Sequence, residues 1–251
     1  MAMERPRRTH AEARAEMRAG ILRLGRAQLA EKGAAGLSVR EIARGLGVAS
    51  SAIYRHVENR DALLTLLLVE AYTDLADTAL AGDDLEESPR SRLAALARGM
   101  RAWAVADPAR WALAYGSPVP GYAAPAEQTT EPGTRLMAAF LGLLARAGTP
   151  PGGETGEAGN ESAGGPADDP GSGHRAAPLS AELAAELEAG SAELGVSAPP
   201  ELAAAGVEVW TGLIGLISAE AFGQLGPDLA KHGEELLGRW IETTADRFGL
   251  R

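Results

Sequence analysis

The chain has 251 residues, 34 of them acidic and 24 basic, for a net charge of −10, and it contains no cysteine. That length supports a substantial buried core, and the lack of thiols excludes disulfides, thiolate metal sites and cysteine nucleophiles while fitting a reducing cytoplasm. Apolar residues make up 45% of the sequence, which excludes wholesale disorder. No unbroken apolar run approaches the roughly 18 residues of a membrane span, so a cytoplasmic protein without a membrane partner is expected.

Residues 1–9 read as a basic arm, in which Arg7 and Arg8 are followed by alternating charges where a secretory signal needs an apolar stretch. Over residues 10–32, Met17, Ile21, Leu24 and Leu29 recur at near-helical spacing, and Gly33 stands where such a helix closes. Ser38 suits the cap of a short second helix, with Glu41 three residues later completing a capping box. Ile42, Ala43 and Leu46 form the buried face of that helix. A tight turn at residues 45–48 leads into a third short helix, about residues 49–57, which buries Ile53 and Val57. Asn59 caps a long fourth helix, residues 60–80, whose core positions are Leu64, Leu67, Leu68, Ala71 and Leu75.

The remainder also reads as helical, with no two-residue alternation that would mark a strand. A break at residues 82–84 precedes a helix over 88–106, and Asp107-Pro108 ends it and starts the next. Residues 116–122, rich in glycine and proline, form a surface loop, and 134–147 are helical again. Residues 148–178 hold 14 Gly or Pro in 31 positions, with no Leu, Ile, Val, Met or aromatic residue, and are expected to be a disordered insertion. Helices follow over residues 181–194, 200–225 and 227–248.

Charge divides unevenly along this order. Residues 1–60 hold 12 basic against 6 acidic side chains, and residues 61–251 hold 12 against 28. A basic head on an acidic body points to a local polyanion contact.

The stretch LSVREIARGLGVASSAIYRHVENRDALL, residues 37–64, resembles the DNA-binding signature of the tetracycline-repressor (TetR) family, and the resemblance runs from Ile21 to Leu68. It implies an all-α protein. Residues 1–60 would form a three-helix, helix-turn-helix DNA-binding domain, and residues 61–251 a larger helical domain for effector binding and dimerisation. It further implies a homodimeric transcriptional regulator, by family habit a repressor, acting on a near-palindromic double-stranded operator and released by a small-molecule effector. A ligand-independent activator or architectural protein would share the same head. A recognition helix must keep one face free to enter a major groove about 12 Å wide. With Ile53 and Val57 anchored, Ala49, Ser50, Ser51, Ala52, Tyr54 and Arg55 face outward. By resemblance, Ser50, Ser51 and Ala52 stand where bases are met, and Arg40, Tyr54, His56 and Arg60 where phosphates are reached; Arg55 suits either role. Glu58 stands where the family often has lysine, which weakens attraction to the DNA backbone.

A second resemblance covers residues 111–122 and 210–223, which look like the TetR subgroup named for a Trp-His-Gly pattern. Trp210 and Gly215 fit it, but Ile214 occupies the histidine position. No P-loop, zinc-protease or serine-hydrolase motif occurs, and the four histidines are scattered, so neither catalysis nor a cofactor or metal is expected. Trp103, Trp111, Tyr115 and Tyr122 cluster around the breaks at Pro108 and Gly116. With Met100, Met137 and Phe140 they are the candidates for an apolar effector site, although the same residues suit a plain core. Gly212, Gly215, Ala219 and Gly223 form a small-residue stripe along the helix expected over 200–225. With Leu229, Leu236, Leu237 and Trp240 from the last helix, that stripe is the candidate dimer interface.

Overall fold

A computed structural model describes residues 9–147 and 177–251. The expected basic arm and glycine-rich insertion lie outside the described residues, save for Thr9, Ala177 and Pro178. Among the described residues the secondary structure is helical, without a strand.

The first helices follow their capping chemistry. In α1 (His10–Lys32) the Thr9 hydroxyl accepts from the Glu12 N–H and the Glu12 carboxylate accepts from the Thr9 N–H, a complete capping box. α1 stops at Gly33, whose φ of 67° strains any other residue. In α2 (Val39–Leu46) only half of the expected box forms. Ser38 Oγ accepts from the Glu41 N–H at 3.3 Å, but the Ser38 N–H donates to Gln28 Oε1 at 2.9 Å instead of to Glu41. The Glu41 carboxylate is drawn to Lys32 Nζ at 2.8 Å, so the box partner becomes a tie between α1 and α2. Left-handed Gly47 closes α2, and the Val48 N–H reaches the Ala43 carbonyl at 3.1 Å. α3 spans only Ser50–Ile53, with a turn through residue 56 in place of the longer helix expected. In that turn the N–H groups of both His56 and Val57 bond to Ile53 O, which sinks Val57 into the core. α4 (Arg60–Leu80) begins where expected, with Asn59 Oδ1 accepting from the Ala62 N–H at 2.8 Å.

Downstream come α5 (Pro89–Ala106), α6 (Pro108–Tyr115), α7 (Ala126–Ala147), α8 (Ala181–Glu193), α9 (Pro200–Ala221), α10 (Gly226–Leu229) and α11 (Gly233–Arg247). α7 starts eight residues before the expected boundary and continues through Pro132. The N–H that Pro132 lacks would have served the carbonyl of Gln128, an exposed residue of the first turn, where a lost bond costs less than in a buried stretch. α9 ends four residues early: Gly223 lies beyond it at φ 71°, with the Gln224 N–H bonded back to Ala219 O. Gly223 is thus a terminator and no part of a continuous helical stripe. The expected last helix breaks at Ala230–His232, a 3₁₀ turn that separates α10 from α11. α9 is also long and apolar enough to cross a membrane by length and composition, a property hidden from a search for unbroken apolar runs.

The chain forms two compact units, each assembled from several segments. Of the described residues the first takes 9–78, 100–133 and 217–226, and the second 79–99, 134–147, 177–216 and 227–251. In the first, Ile21, Leu29, Ile42, Ile53, Val57, Leu63, Leu64 and Leu67 form one apolar cluster, against which Ala109 and Leu113 of α6 and Val119 and Tyr122 of the next loop pack. α1 and α2 meet through reciprocal small-residue gaps. A Cβ on Gly20 would lie 2.8 Å from Leu46, and one on Gly45 would lie 2.8 Å from Leu24. In the second unit Phe140 is fully buried, its ring centroid 5.4 Å from that of Trp210 and 6.5 Å from that of Trp240. α4 and α5 approach so closely there that a Cβ on Gly99 would lie 2.8 Å from Ala79 Cα. Gly99→Ala is therefore expected to destabilise by about 1–3 kcal/mol through overpacking, against an opposing helix-propensity gain of about 1 kcal/mol. Urea unfolding of the two proteins measures it, and an unchanged midpoint would show that the helices separate freely.

Candidate nucleic-acid interface and sensor region

α3 is held from below by Ile53 and from behind by Val57, both buried. Ala49, Ser50 and Ser51 are exposed, Ala52 is half-buried, and Tyr54, Arg55 and His56 project from the following turn, Tyr54 at 39% exposure. A row of small side chains with an aromatic hydroxyl and a guanidinium at its end lets the backbone approach a groove floor while longer groups reach the walls. Arg40 is exposed on α2, and so is Arg44 four residues on, on the same face. Arg44 was not singled out in the sequence, although its spacing from Arg40 was the available signal. Lys32 and Glu41 neutralise one another: the Glu41 hydrogen bond and charge raise the lysine pKa, and the same bond and the lysine charge lower that of Glu41.

Arg60 has a partner within the chain that its position in the sequence does not show. Its guanidinium donates to the Ala34 carbonyl at 2.9 Å and lies 3.8 Å from Asp61, so it braces the α1–α2 junction. Glu58 is exposed, together with Asp61, on the rim of a cleft of about 670 Å³ that Arg18 and His56 also line. Thr65 and Tyr122 line the same cleft, and their hydroxyl oxygens lie 3.0 Å apart. Tyr122 also packs against the head's apolar cluster.

The remaining sensor candidates divide between the two compact units. In the first, Met100, Trp103 and Trp111 are buried, and Trp111 is wholly so. Trp111 Nε1 donates to Ser218 Oγ at 3.0 Å and its ring lies 4.5 Å from that of half-buried Tyr115. Burial, with the Tyr72 ring group nearby, pushes the Tyr115 hydroxyl well above the usual phenol range. In the second unit Phe140 is core and Met137 half-buried. These residues are packed side chains here, since large aromatics in so small an aromatic inventory are what the core is built from.

A charged cluster lies among them that the sequence reading passed over. Arg110, 6% exposed, donates to Glu70 at 3.0 Å and to Asp74 at 2.8 Å, and its guanidinium stacks 4.6 Å from the Trp103 ring centroid. Burial opposes ionisation of Asp74, but hydrogen bonds from Trp103 and Arg110 and the arginine charges outweigh it and hold the carboxyl below its ordinary range. Glu70 and Asp74, one turn apart beside the apolar positions of α4, were the signal for this cluster.

In the second unit α9 and α11 border a groove of about 360 Å³, lined by Glu208, Gly212, Arg239, Trp240 and Thr243 among others. Gly212 and Gly215 are exposed, and nothing lies within 4 Å of a Cβ built on Gly215. Trp240 and Leu236 are half-buried and Leu229 is exposed, but Leu237 is fully buried inside the chain and withdraws from any intermolecular surface.

Comparison with known proteins gives consistent matches. The model of the bacterial regulatory proteins, tetR family, matches residues 21–67, and that of the tetracyclin repressor-like C-terminal domain matches residues 93–244. The HTH-type transcriptional regulators Rv1816 of Mycobacterium tuberculosis and Mb1846 of Mycobacterium bovis are each 43% identical over 220 residues, 87% of this chain and 86% of theirs. Among solved structures, the regulatory protein SCO4313 superposes with a TM-score of 0.69 at 26% identity, over 94% of this chain and 98% of its own.

Proposed function

Because the chain belongs to the TetR family of bacterial transcriptional regulators, we propose that it works as a cytoplasmic homodimeric repressor: its two heads read a near-palindromic operator, and its body releases the DNA when a small apolar effector binds. That it is a DNA-binding transcriptional regulator follows from the family, which is not a family of enzymes. The observation that carries the DNA reading is the α2–α3 surface. Arg40 and Arg44 of α2, Ser50 and Ser51 of α3, and Tyr54, Arg55 and His56 of the turn that follows are all exposed. Ser50, Ser51 and Ala52 are assigned to base edges, and Arg40, Tyr54 and His56 to phosphates. Arg60, committed to the Ala34 carbonyl, positions the head.

Pairing is assigned to the outer face of α9 with α11. α9 is apolar beyond what its core face requires, and it exposes Val207 beside Gly212 and Gly215. A second copy of the same face covers it in a two-fold four-helix arrangement. For the sensor, the buried aromatic cluster must open, so an effector binds a less populated state and its apparent affinity is reduced by that fraction.

The test is a binding titration on a duplex that the wild-type chain enriches from a random pool. With 6–10 phosphates neutralised by the pair of heads, affinity falls by about 10³-fold or more between 50 and 200 mM salt. Arg40→Ala lowers the salt slope by about 1 per head, and Tyr54→Ala weakens all sequences alike. A salt-independent affinity, or a Tyr54→Ala protein that binds as tightly as the parent at every salt concentration, contradicts the assignment.

A further inference from the structure

Glu70 on α4 divides its two carboxylate oxygens between two different helices. Oε1 lies 3.3 Å from the guanidinium of Arg26 on α1, and Oε2 accepts from Arg110 on α6 at 3.0 Å. Asp74, one turn along α4, takes the other arm of Arg110 at 2.8 Å and also accepts from Trp103 Nε1 at 2.8 Å. The chain of contacts is Arg26, Glu70, Arg110, Asp74, with two cations alternating with two anions and no residual charge. Arg110 is the buried centre, its side chain 7% exposed, and Arg26 belongs to the helix that carries the head's core residues Ile21 and Leu29.

Three features set this chain apart from an ordinary surface ion pair. Its centre, Arg110 with Glu70, is shielded from water, so small displacements there change its energy steeply, while Arg26 and Asp74 at its ends stay part-exposed. It joins helices distant in sequence, α1, α4 and α6, through a single shared carboxylate. Its hydrogen bonding is also incomplete, since the Nε atoms of both Arg26 and Arg110 are buried without a partner. A shared carboxylate with unused donors on both sides has a second arrangement at hand. In it Glu70 is surrendered to Arg110 and Arg26 is freed, or the reverse. Such a bistable contact is what transmission between two packed elements requires.

We propose that Arg110 and Glu70 are positioning residues that transmit movement of α6 to α1, so that the orientation of the DNA-reading head depends on how the Glu70 carboxylate is shared. This rests on the reading that the body controls DNA release. It adds the physical link and the residues that form it.

The test is a double-mutant cycle in DNA affinity on the full chain without any effector, using the duplex enriched by the wild-type protein. Arg26 and Arg110 each bond to a different oxygen of Glu70, so independent roles predict that the effects of Arg26→Met and Arg110→Met multiply. Transmission through Glu70 predicts a departure of at least about fivefold from that product, and its disappearance when the cycle is repeated in a Glu70→Gln background. Arg110→Lys keeps the buried charge but cannot bridge two carboxylates. It should reproduce the coupling loss in a protein whose urea midpoint is near that of the parent, which covers the case in which Arg110→Met unfolds. The Glu70→Gln background is the control. Multiplicative behaviour of the Arg26–Arg110 pair overturns the proposal, as does coupling that persists unchanged with Glu70→Gln, which would show a global effect on the fold. The cycle needs no effector, so failure of ligand-induced release and failure of this link are read separately.

Discussion

Trp111→Ala is expected to cost about 3–5 kcal/mol of folding stability, the range for large aromatic side chains removed from a packed core. The whole margin of a domain is about 5–15 kcal/mol, so the variant should sit close to unfolding at ambient temperature. The cost has two sources. The indole is fully buried against Tyr115, and its Nε1 holds Ser218 Oγ at 3.0 Å. Neither contact is replaced when the ring leaves, and the vacated volume closes only in part. The same loss has a second readout of opposite sign. A cavity lined by apolar side chains accepts an apolar guest, so indole should raise the melting temperature of Trp111→Ala and leave that of the parent unchanged. Urea unfolding with and without indole measures both. A loss below about 1 kcal/mol, outside the core-truncation range, would show Trp111 facing open space, and the effector site would then be preformed.

Local chemistry written in neighbouring residues was legible from the sequence. α4 and α6 begin at Asn59 and Asp107, whose side chains accept from N–H groups three residues on, and Gly33 and Gly47 end helices at positive φ, whereas the Thr9 cap of α1 was passed over as part of the arm. The anchoring of α3 by Ile53 and Val57 was legible for the same reason, because helical spacing sorts buried from exposed side chains without knowledge of partners. What failed depended on distant groups. Glu41 has the right spacing for a capping box, but Lys32 and Gln28, brought alongside by the α1–α2 packing, compete for it and win. Arg60 bonds to Ala34 O, twenty-six residues away, a partner that its position in the sequence does not show. Trp103, Trp111 and Phe140 were grouped by type as sensor candidates, yet composition cannot separate a cavity wall from a packed core. The Arg110 cluster was missed because its anions and cations sit 40 and 36 residues apart. The start of α7 was read eight residues late, since Pro132 lies within its first two turns, where a proline is tolerated better than deeper in a helix.

Gly215→Leu is expected to convert the protein into monomers while making each chain more stable. The three glycines inside α9 each cost about 1 kcal/mol relative to alanine, and within the chain nothing offsets that at Gly215, where a Cβ would meet no atom within 4 Å. A Cβ there has open space within the chain, so leucine is expected to recover most of the propensity cost. Between two chains the outcome reverses. If the α9 faces cross at Gly212 and Gly215, the backbones approach because no side chain intervenes, and two leucines at a two-fold contact force them apart. A stable pair buries about 1,200–2,000 Å², which a widened crossing cannot keep. Gly215 is the sharper probe of the two, because a Cβ at Gly212 already lies 3.6 Å from Trp240 Nε1 and would mix an internal contact into the result. Sedimentation velocity should show a monomer, urea unfolding a higher midpoint at low protein concentration, and DNA titration about half the salt slope of the parent, since one head neutralises half the phosphates. The combination is diagnostic, because a simple folding defect would lower stability along with assembly. A Gly215→Leu protein that stays dimeric would show that the small-residue face of α9 points away from the partner and that the exposed surface near Leu229 and Phe222 is where the chains meet.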